Sequence, residues 1–134
     1  MATGTVNRGI RFADLDLKFE KNPITNKLMV LKDVEAVKRS IRNLILTNKF
    51  ERPYQPLIGG NVTSMLFELF DELAAHDMEK AIRQTITNYE PRAEVLDVKV
   101  TEDAQQNGIN VTLRFRVVNQ TDPTEVEFFV ERIR

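Results

Sequence analysis

The chain has 134 residues, which is enough for one domain with its own core and too few for two. Its 19 Lys and Arg against 20 Asp and Glu give a net charge of −1, which argues against a dedicated nucleic-acid or membrane-surface binder. The absence of Cys and the single His, His76, argue against disulfides and metal centres, so neither a metal nor a cofactor is expected. No apolar run approaches the roughly 20 residues that span a bilayer, and no signal peptide is visible, so we expect a protein made in the cytoplasm.

The beginning of the chain predicts an arm and then an extended segment. Residues 1–11 are rich in Gly, Thr and Asn and lack apolar periodicity, so we expect a mobile N-terminal arm there and a single domain over 12–134. Apolar and charged residues alternate over 15–19, which predicts a short strand. A turn marked by Asn-Pro and Thr-Asn over 22–26 leads into a second extended stretch at 28–31.

Three amphipathic helices are predicted next. Asp33 is the expected N-cap of the first, because a short carboxylate can accept hydrogen bonds from the free amides of a first turn. A loop with two prolines and two glycines follows at 50–60. The second helix is predicted to begin after Asn61, and the third covers roughly Asp77 to Asn88. One face of the second helix holds Val62, Met65, Leu66, Leu69, Phe70 and Leu73.

The first two predicted helices carry opposite charge. Residues 32–49 hold five basic and two acidic residues, a net charge of +3, whereas every charged residue in 61–77 is acidic. We interpret the two segments as neighbours or as solvated faces, in preference to two partner sites.

The end of the chain predicts an antiparallel meander. Leu96, Val98 and Val100 alternate with charged residues, and Asn107-Gly108 is a strong hairpin turn signal. Alternation over 109–117 and again over 125–134 predicts two more strands. Amphipathic helices can cover the apolar face of such a sheet, so the fold class is α+β, with helices packed on a three-stranded C-terminal meander and a short N-terminal hairpin.

Signatures of common enzyme families are absent, and His76 is interpreted as a surface or capping residue. With 20 acidic residues, a carboxylate pair for glycoside hydrolysis is not excluded by composition. The least unreasonable candidates are Glu51 and Glu90. Each lies close to a cation, Arg52 or Arg92, which would lower the carboxylate pKa and is wrong for a general acid. Structural pairing is therefore the preferred interpretation for both.

The most informative segment is 88–92. Pro91 fixes its own φ and excludes Glu90 from the α region, so a helix must end sharply there. Glu90 and Arg92 would then lie on a stiff turn and lose little entropy on binding charged groups. A plain helix stop with exposed charges is the alternative that physical chemistry alone favours. The segment 51–54, Glu-Arg-Pro-Tyr, has the same ingredients.

Together these two segments resemble the baseplate wedge family of contractile-tailed phages, long labelled lysozyme-like. That family shows a Glu-Pro-Arg motif after a helix, matched here by Glu90, Pro91 and Arg92. It also shows an upstream loop of the Gly-Glu-Arg-Pro-Phe kind, matched by residues 50–54 with Phe50 in place of Gly. The resemblance covers nearly all of the chain from about residue 12 onward.

The resemblance implies a structural subunit of a virion tail baseplate, not an enzyme. Partner contacts to the helical core bundle of neighbouring wedge proteins are expected at Glu90, Pro91 and Arg92 and, by the second motif, at Glu51, Arg52 and Pro53. The closing strands resemble the interlocking strands of tail sheath subunits, which implies a part in starting sheath polymerisation. A peptidoglycan hydrolase and the similar type six secretion subunit are the alternatives. Neither nucleic acid nor membrane is an expected partner.

The last predicted strand has an unusual second face. Phe129 and Ile133 lie there among three carboxylates, although a solvated strand face should be polar. The two side chains either cap the edge of the domain or contact a partner, and the pattern alone leaves both open. The resemblance to the interlocking strands of sheath subunits implies that this face contacts the sheath, and a terminal strand can also offer backbone groups to another chain.

Overall fold

The computed structural model describes residues 12–118 and 120–132. In chain order its elements are β1 (Ala13–Leu15), β2 (Val30–Lys32), α1 (Asp33–Leu46), α2 (Val62–Met65), α3 (Glu72–Tyr89), β3 (Ala93–Asp103), β4 (Gly108–Val117) and β5 (Thr124–Glu131). β1 and β2 pair in an antiparallel hairpin, and β3, β4 and β5 form an antiparallel sheet in that order. The predicted α+β class is therefore confirmed. The predicted arm at 1–11 and Ile133 lie outside the described residues.

The core lies between one face of the sheet and the helices α1 and α3. Every second residue of the central strand β4 points into it, because successive side chains of a strand alternate between faces. The helices contribute residues one turn apart, so each presents one apolar stripe. The fully buried members are Val37, Ile41 and Ile45 of α1, Met78, Ile82 and Ile86 of α3, and Ile109, Val111, Leu113 and Phe115 of β4. Burying each such side chain is worth about 1.5–3 kcal/mol, so this layer is the main source of stability.

The predicted second helix is wrong over most of its length. Only Val62–Met65 is helical, and α3 begins at Glu72 rather than at Asp77. Asp71 caps α3, since its carboxylate accepts a hydrogen bond from the Ala74 N–H at 2.7 Å. A good N-cap in mid-segment favours a new helix start over continuation of the old helix. The side chains expected on the buried face are consequently exposed, Leu69 by 87% and Leu73 by 68%.

The start of α1 also differs from expectation. The N-cap position falls on Lys32, and Asp33 is the first helical residue with a positive φ of 45°. Its carboxylate accepts a hydrogen bond from the Phe12 N–H at 3.2 Å, and its own N–H donates to the Phe12 carbonyl at 2.8 Å. Because β2 runs directly into the helix, Asp33 holds the hairpin to α1 at this junction.

A β-bulge changes the face assignment of β3. The register with β4 shifts between Val95 and Asp97, so Leu96 is the extra residue of the bulge. Leu96, which was predicted to face the core, is exposed, and Val95 packs against the core in its place. Beyond the bulge the prediction is confirmed, since Val98 and Val100 are buried.

Across residues 12–118 and 120–132, none of the helices combines the length and the apolar character needed to cross a bilayer. The same residues contain no cluster of three or more His, Asp or Glu side chains placed to hold a metal ion.

Candidate partner-binding site

Glu90 lies at the C-cap of α3 and is 3% exposed. The alternative interpretation, a helix stop with exposed charges, is therefore wrong for Glu90. Its Oε1 accepts a hydrogen bond from Arg92 Nε at 2.7 Å, and its Oε2 accepts one from Arg92 Nη2 at 2.8 Å. The Ser40 hydroxyl of α1 also donates to Oε2. The predicted pairing of Glu90 with Arg92 is thus present, in the bidentate geometry that makes such pairs strong.

Arg92 joins this turn to the N-terminal hairpin. Its Nη1 donates to the Asp14 Oδ2 of β1 at 3.3 Å, and its guanidinium carbon lies 5.5 Å from the centroid of the Phe12 ring. The latter distance is within the range of a cation–π contact. One guanidinium therefore connects the end of α3, the hairpin and, through Glu90, helix α1.

The charges of this network are stabilised by each other. Burial raises the pKa of Glu90, but hydrogen bonds from Arg92 and Ser40 and the charge of Arg92 outweigh burial, so its pKa lies below the ordinary value. The hydrogen bond to Glu90 raises the pKa of Arg92 further above its ordinary value. A carboxylate with a lowered pKa is a poor proton donor at neutral pH, so Glu90 is unsuited to be the general acid of a hydrolase.

The loop between α1 and α2 is ordered by its own hydrogen bonds. The Phe50 N–H donates to the Pro56 carbonyl at 2.6 Å, and the Glu51 carboxylate accepts from the Asn48 N–H at 2.8 Å. The expected pairing of Glu51 with Arg52 is wrong, since no ion pair joins them in the described part of the chain. The Arg52 side chain is left exposed on a fixed backbone.

Two aromatic residues of this loop adopt the left-handed backbone conformation. Phe50 has φ 67° and Tyr54 has φ 68°, and both side chains are exposed. Phe50 stands where the resembling family carries Gly, the residue that reaches positive φ without steric cost. Both residues therefore hold a backbone conformation that is strained for a residue with a β-carbon.

A groove of about 300 Å³ lies where these parts meet. Its walls come from the hairpin, α1, the loop and the end of α3. Tyr89 closes one side, and its hydroxyl donates to the Leu57 carbonyl of the loop at 3.1 Å. The lining is Asp14, Leu15, Leu17, Arg39, Ser40, Asn43, Leu44, Arg52, Ile58 and Tyr89.

The groove lies next to both sequence motifs, although Glu90, Pro91 and Arg92 are not among its lining residues. Ser40 lines it and binds Glu90, while Arg52 of the other motif lines the same groove. Arg39 pairs with Asp16 at 3.4 Å, so Arg52 is the cation beside the apolar walls that suits an apolar side chain next to a carboxylate. Sequence reasoning missed Ser40, and its one signal was a hydroxyl at helical spacing from buried Ala36 and Leu44.

Phe129 lies elsewhere, on the face of β5 that points away from the helices. Its ring covers Gly108 of β4, where a β-carbon would clash with the ring and lie 2.5 Å from the Val130 carbonyl oxygen. Phe129 is consequently half-buried against its own sheet.

Helices on a meander, a closed Glu-Pro-Arg turn and an ordered Glu-Arg-Pro loop are the features expected of a structural subunit of a contractile-tail baseplate. Residues 32–122 match the model of the baseplate wedge protein gp25 family, and the chain belongs to this family. The predicted family and the predicted structural role in a baseplate are confirmed.

Relatives of known name agree with this assignment. The chain is 29% identical over 120 residues to baseplate wedge protein gp25 of Enterobacteria phage T4, an alignment that covers 90% of this chain and 89% of that protein. A chain in the baseplate of the anti-feeding prophage has a TM-score of 0.70 at 25% identity, with 83% of this chain and 89% of that chain covered. A candidate tail lysozyme from Geobacter sulfurreducens shares the fold, with a TM-score of 0.72 at 21% identity over 79% of this chain and 97% of that chain.

Proposed function

We propose that this wedge subunit joins the helical core bundle of neighbouring wedge proteins through the groove and the two motif segments around it. The observation that carries the proposal is a groove with apolar walls that is lined by Arg52 of one motif and by Ser40, which donates to Glu90 of the other. Pro91, Arg92, Arg52 and Pro53 supply contacts, and Phe50 and Tyr54 add apolar area beside them.

Glu90 acts in this proposal as a positioning residue. Its side chain is buried, and its carboxylate is engaged by Arg92 and Ser40. Glu51 has a similar part in the loop, where its carboxylate holds the Asn48 N–H. These acids fix the shape of the site that the partner meets.

Removing exposed contact groups should block wedge assembly without unfolding the subunit. We expect Arg52→Ala with Tyr54→Ala to abolish co-purification with wedge partners. Because both side chains are exposed, the free energy of unfolding should change by no more than about 0.5 kcal/mol. The matched control is Ile24→Ala with Lys27→Ala, which removes one exposed apolar group and one cation away from the groove. Normal assembly by the first double variant would rule out the groove as the wedge contact.

We further propose that the subunit is not an enzyme. Of the two hydrolase candidates, Glu90 is buried and has a lowered pKa. The other candidate, Glu51, is exposed in a loop. The likeness to the candidate tail lysozyme extends to the fold alone. Clearing of purified cell walls by this protein, at a rate above buffer, would contradict this part of the proposal.

The outer face of β5 is the proposed sheath contact, in a subunit assembled in the host cytoplasm and carried in the virion baseplate. Phe129 lies there beside Glu125, Glu127 and Glu131, carboxylates that discourage indiscriminate edge pairing yet accept a basic partner. We expect Phe129→Ser with Ile133→Ser to impair joining of the first sheath ring, seen by electron microscopy. Far-UV circular dichroism checks that the variant folds, and normal sheathed tails from a folded variant would place the contact elsewhere.

A further inference from the structure

The segment 66–76, between α2 and the second turn of α3, exposes large apolar side chains. Phe67, Leu69 and Leu73 all face solvent, although Leu69 and Leu73 have the i, i+4 spacing of one helical face. The core does not depend on these three side chains, because Leu66 and Val62 already pack into it. Exposed apolar groups close together in a chain are typical of a surface that is covered in an assembly.

The charge around these side chains has one sign. The stretch 66–79 contains five acidic residues and neither Lys nor Arg. Asp71 and Glu79 are engaged within the chain, the first as the cap of α3 and the second by the Val100 N–H at 3.0 Å. The other three, Glu68, Glu72 and Asp77, form no ion pair within the described residues.

A wide groove of about 810 Å³ lies beside this segment. Leu73, Ala75 and His76 of α3 form one wall, and Val100 of the edge strand β3 forms the other. Among the described residues that line it, Lys99 is the single cation. The groove gives an incoming apolar side chain a place to be buried next to Leu73.

We propose that Phe67, Leu69, Leu73 and this wide groove form a second docking surface, for an amphipathic segment of another protein that carries large apolar side chains flanked by Lys or Arg. The apolar groups supply the driving force by burial, and the unpaired carboxylates select a basic partner over an acidic one. This surface is separate from the wedge-binding groove, so its failure would leave the proposed wedge contact intact.

A second copy of the chain fits the surface less well. A two-fold dimer through this surface would place Glu68 and Glu72 of both copies against each other, since a two-fold interface pairs each patch with itself. Like charges at close range oppose such a contact. A basic segment of a different protein meets no such repulsion.

The test uses the full chain and two synthetic helical peptides, one of Leu and Lys at helical spacing and one in which every Lys is Glu. Isothermal titration calorimetry should show that the Lys peptide binds and the Glu peptide does not. Leu69→Ser with Leu73→Ser should weaken binding of the Lys peptide by about tenfold or more. The control variant, Ile24→Ser with Leu57→Ser, removes two exposed apolar groups elsewhere and should bind as the wild type does.

Charge reversal gives an independent arm of the test. Glu68→Lys with Glu72→Lys should lose the Lys peptide and gain the Glu peptide, and raised salt should weaken both interactions. Circular dichroism confirms the fold of each variant. Equal affinity for the two peptides, or binding unaffected by Leu69→Ser with Leu73→Ser, would overturn the proposal. If the wild-type chain self-associates and Leu69→Ser with Leu73→Ser abolishes this, the occupant is a second copy of the chain and the proposal is overturned.

Discussion

Replacing Glu90 with Ala should lower the free energy of unfolding by about 3 kcal/mol, because it leaves a partly buried guanidinium without its main partner. Arg92 is 23% exposed, so water cannot fully replace the lost carboxylate. The matched control is Glu94→Ala, whose carboxylate pairs with Arg116 at the surface and is 57% exposed. That change should cost less than about 1 kcal/mol. Urea unfolding followed by circular dichroism measures both, and similar small losses would show that the Glu90 network does not stabilise the fold.

The Glu90 contribution should also depend on pH. Its pKa in the folded protein lies below 4.5, the ordinary value, so the carboxylate binds protons less readily folded than unfolded. Stability from the charged form is therefore complete above the ordinary pKa and is lost as pH falls through the folded pKa. Glu90→Gln, which keeps the shape and removes the charge, should differ most from wild type near neutral pH. The difference should shrink in acid, and a difference that grows there would contradict the assigned ionisation.

Gly59→Ala should be the other severe substitution, with a loss of about 3 kcal/mol and a melting temperature lower by about 10 °C. Gly59 has φ 142°, a conformation that residues with a β-carbon rarely adopt. A β-carbon there would also clash with the Thr47 carbonyl oxygen and lie 2.9 Å from the Asn48 carbonyl carbon. These are backbone atoms at the end of α1, so a side-chain rotation cannot relieve the clash.

The adjacent residue supplies the control for this experiment. Gly60 has no positive φ, and the nearest atom to a β-carbon there is the Ile45 carbonyl oxygen at 3.1 Å. Gly60→Ala should therefore cost clearly less than Gly59→Ala in differential scanning calorimetry. Equally small losses would mean that the backbone of the loop relaxes freely, and the rigidity assigned to the Arg52 side of the groove would have no basis.

Local patterns predicted the sheet, α1 and the C-terminal part of α3 well. Strands β4 and β5 follow from period-two alternation and the Asn107-Gly108 turn, where Asn107 does adopt a positive φ of 53°. The errors arose where two local signals competed. The apolar periodicity of 62–73 favoured one helix, but Asp71 caps a new one, and a bulge in β3 turned Leu96 away from the core.

The site was harder to predict than the fold. The motif residues Glu90 and Arg92 were recognised, but their burial depends on Ser40 and Asp14, which come from distant parts of the chain. No periodicity or spacing in a sequence reports such a meeting of separate elements. The exposed Leu69 was misplaced for the related reason that the pattern shows which side chains are apolar but not what covers them.

The Arg92 network joins residues that are far apart in the sequence, and this has a consequence for the order of folding. Ser40 and Glu90 are 50 residues apart in the chain, and Asp14 and Arg92 are 78 apart. Contacts of such separation close long loops and form after local ones, because the entropy of closure must be lost before any contact stabilises it. The β3–β4 hairpin and the helices need only local contacts, so they can form while the groove is still open. We therefore expect a nascent subunit to complete the proposed wedge-binding groove late in folding, so that an incompletely folded chain lacks it.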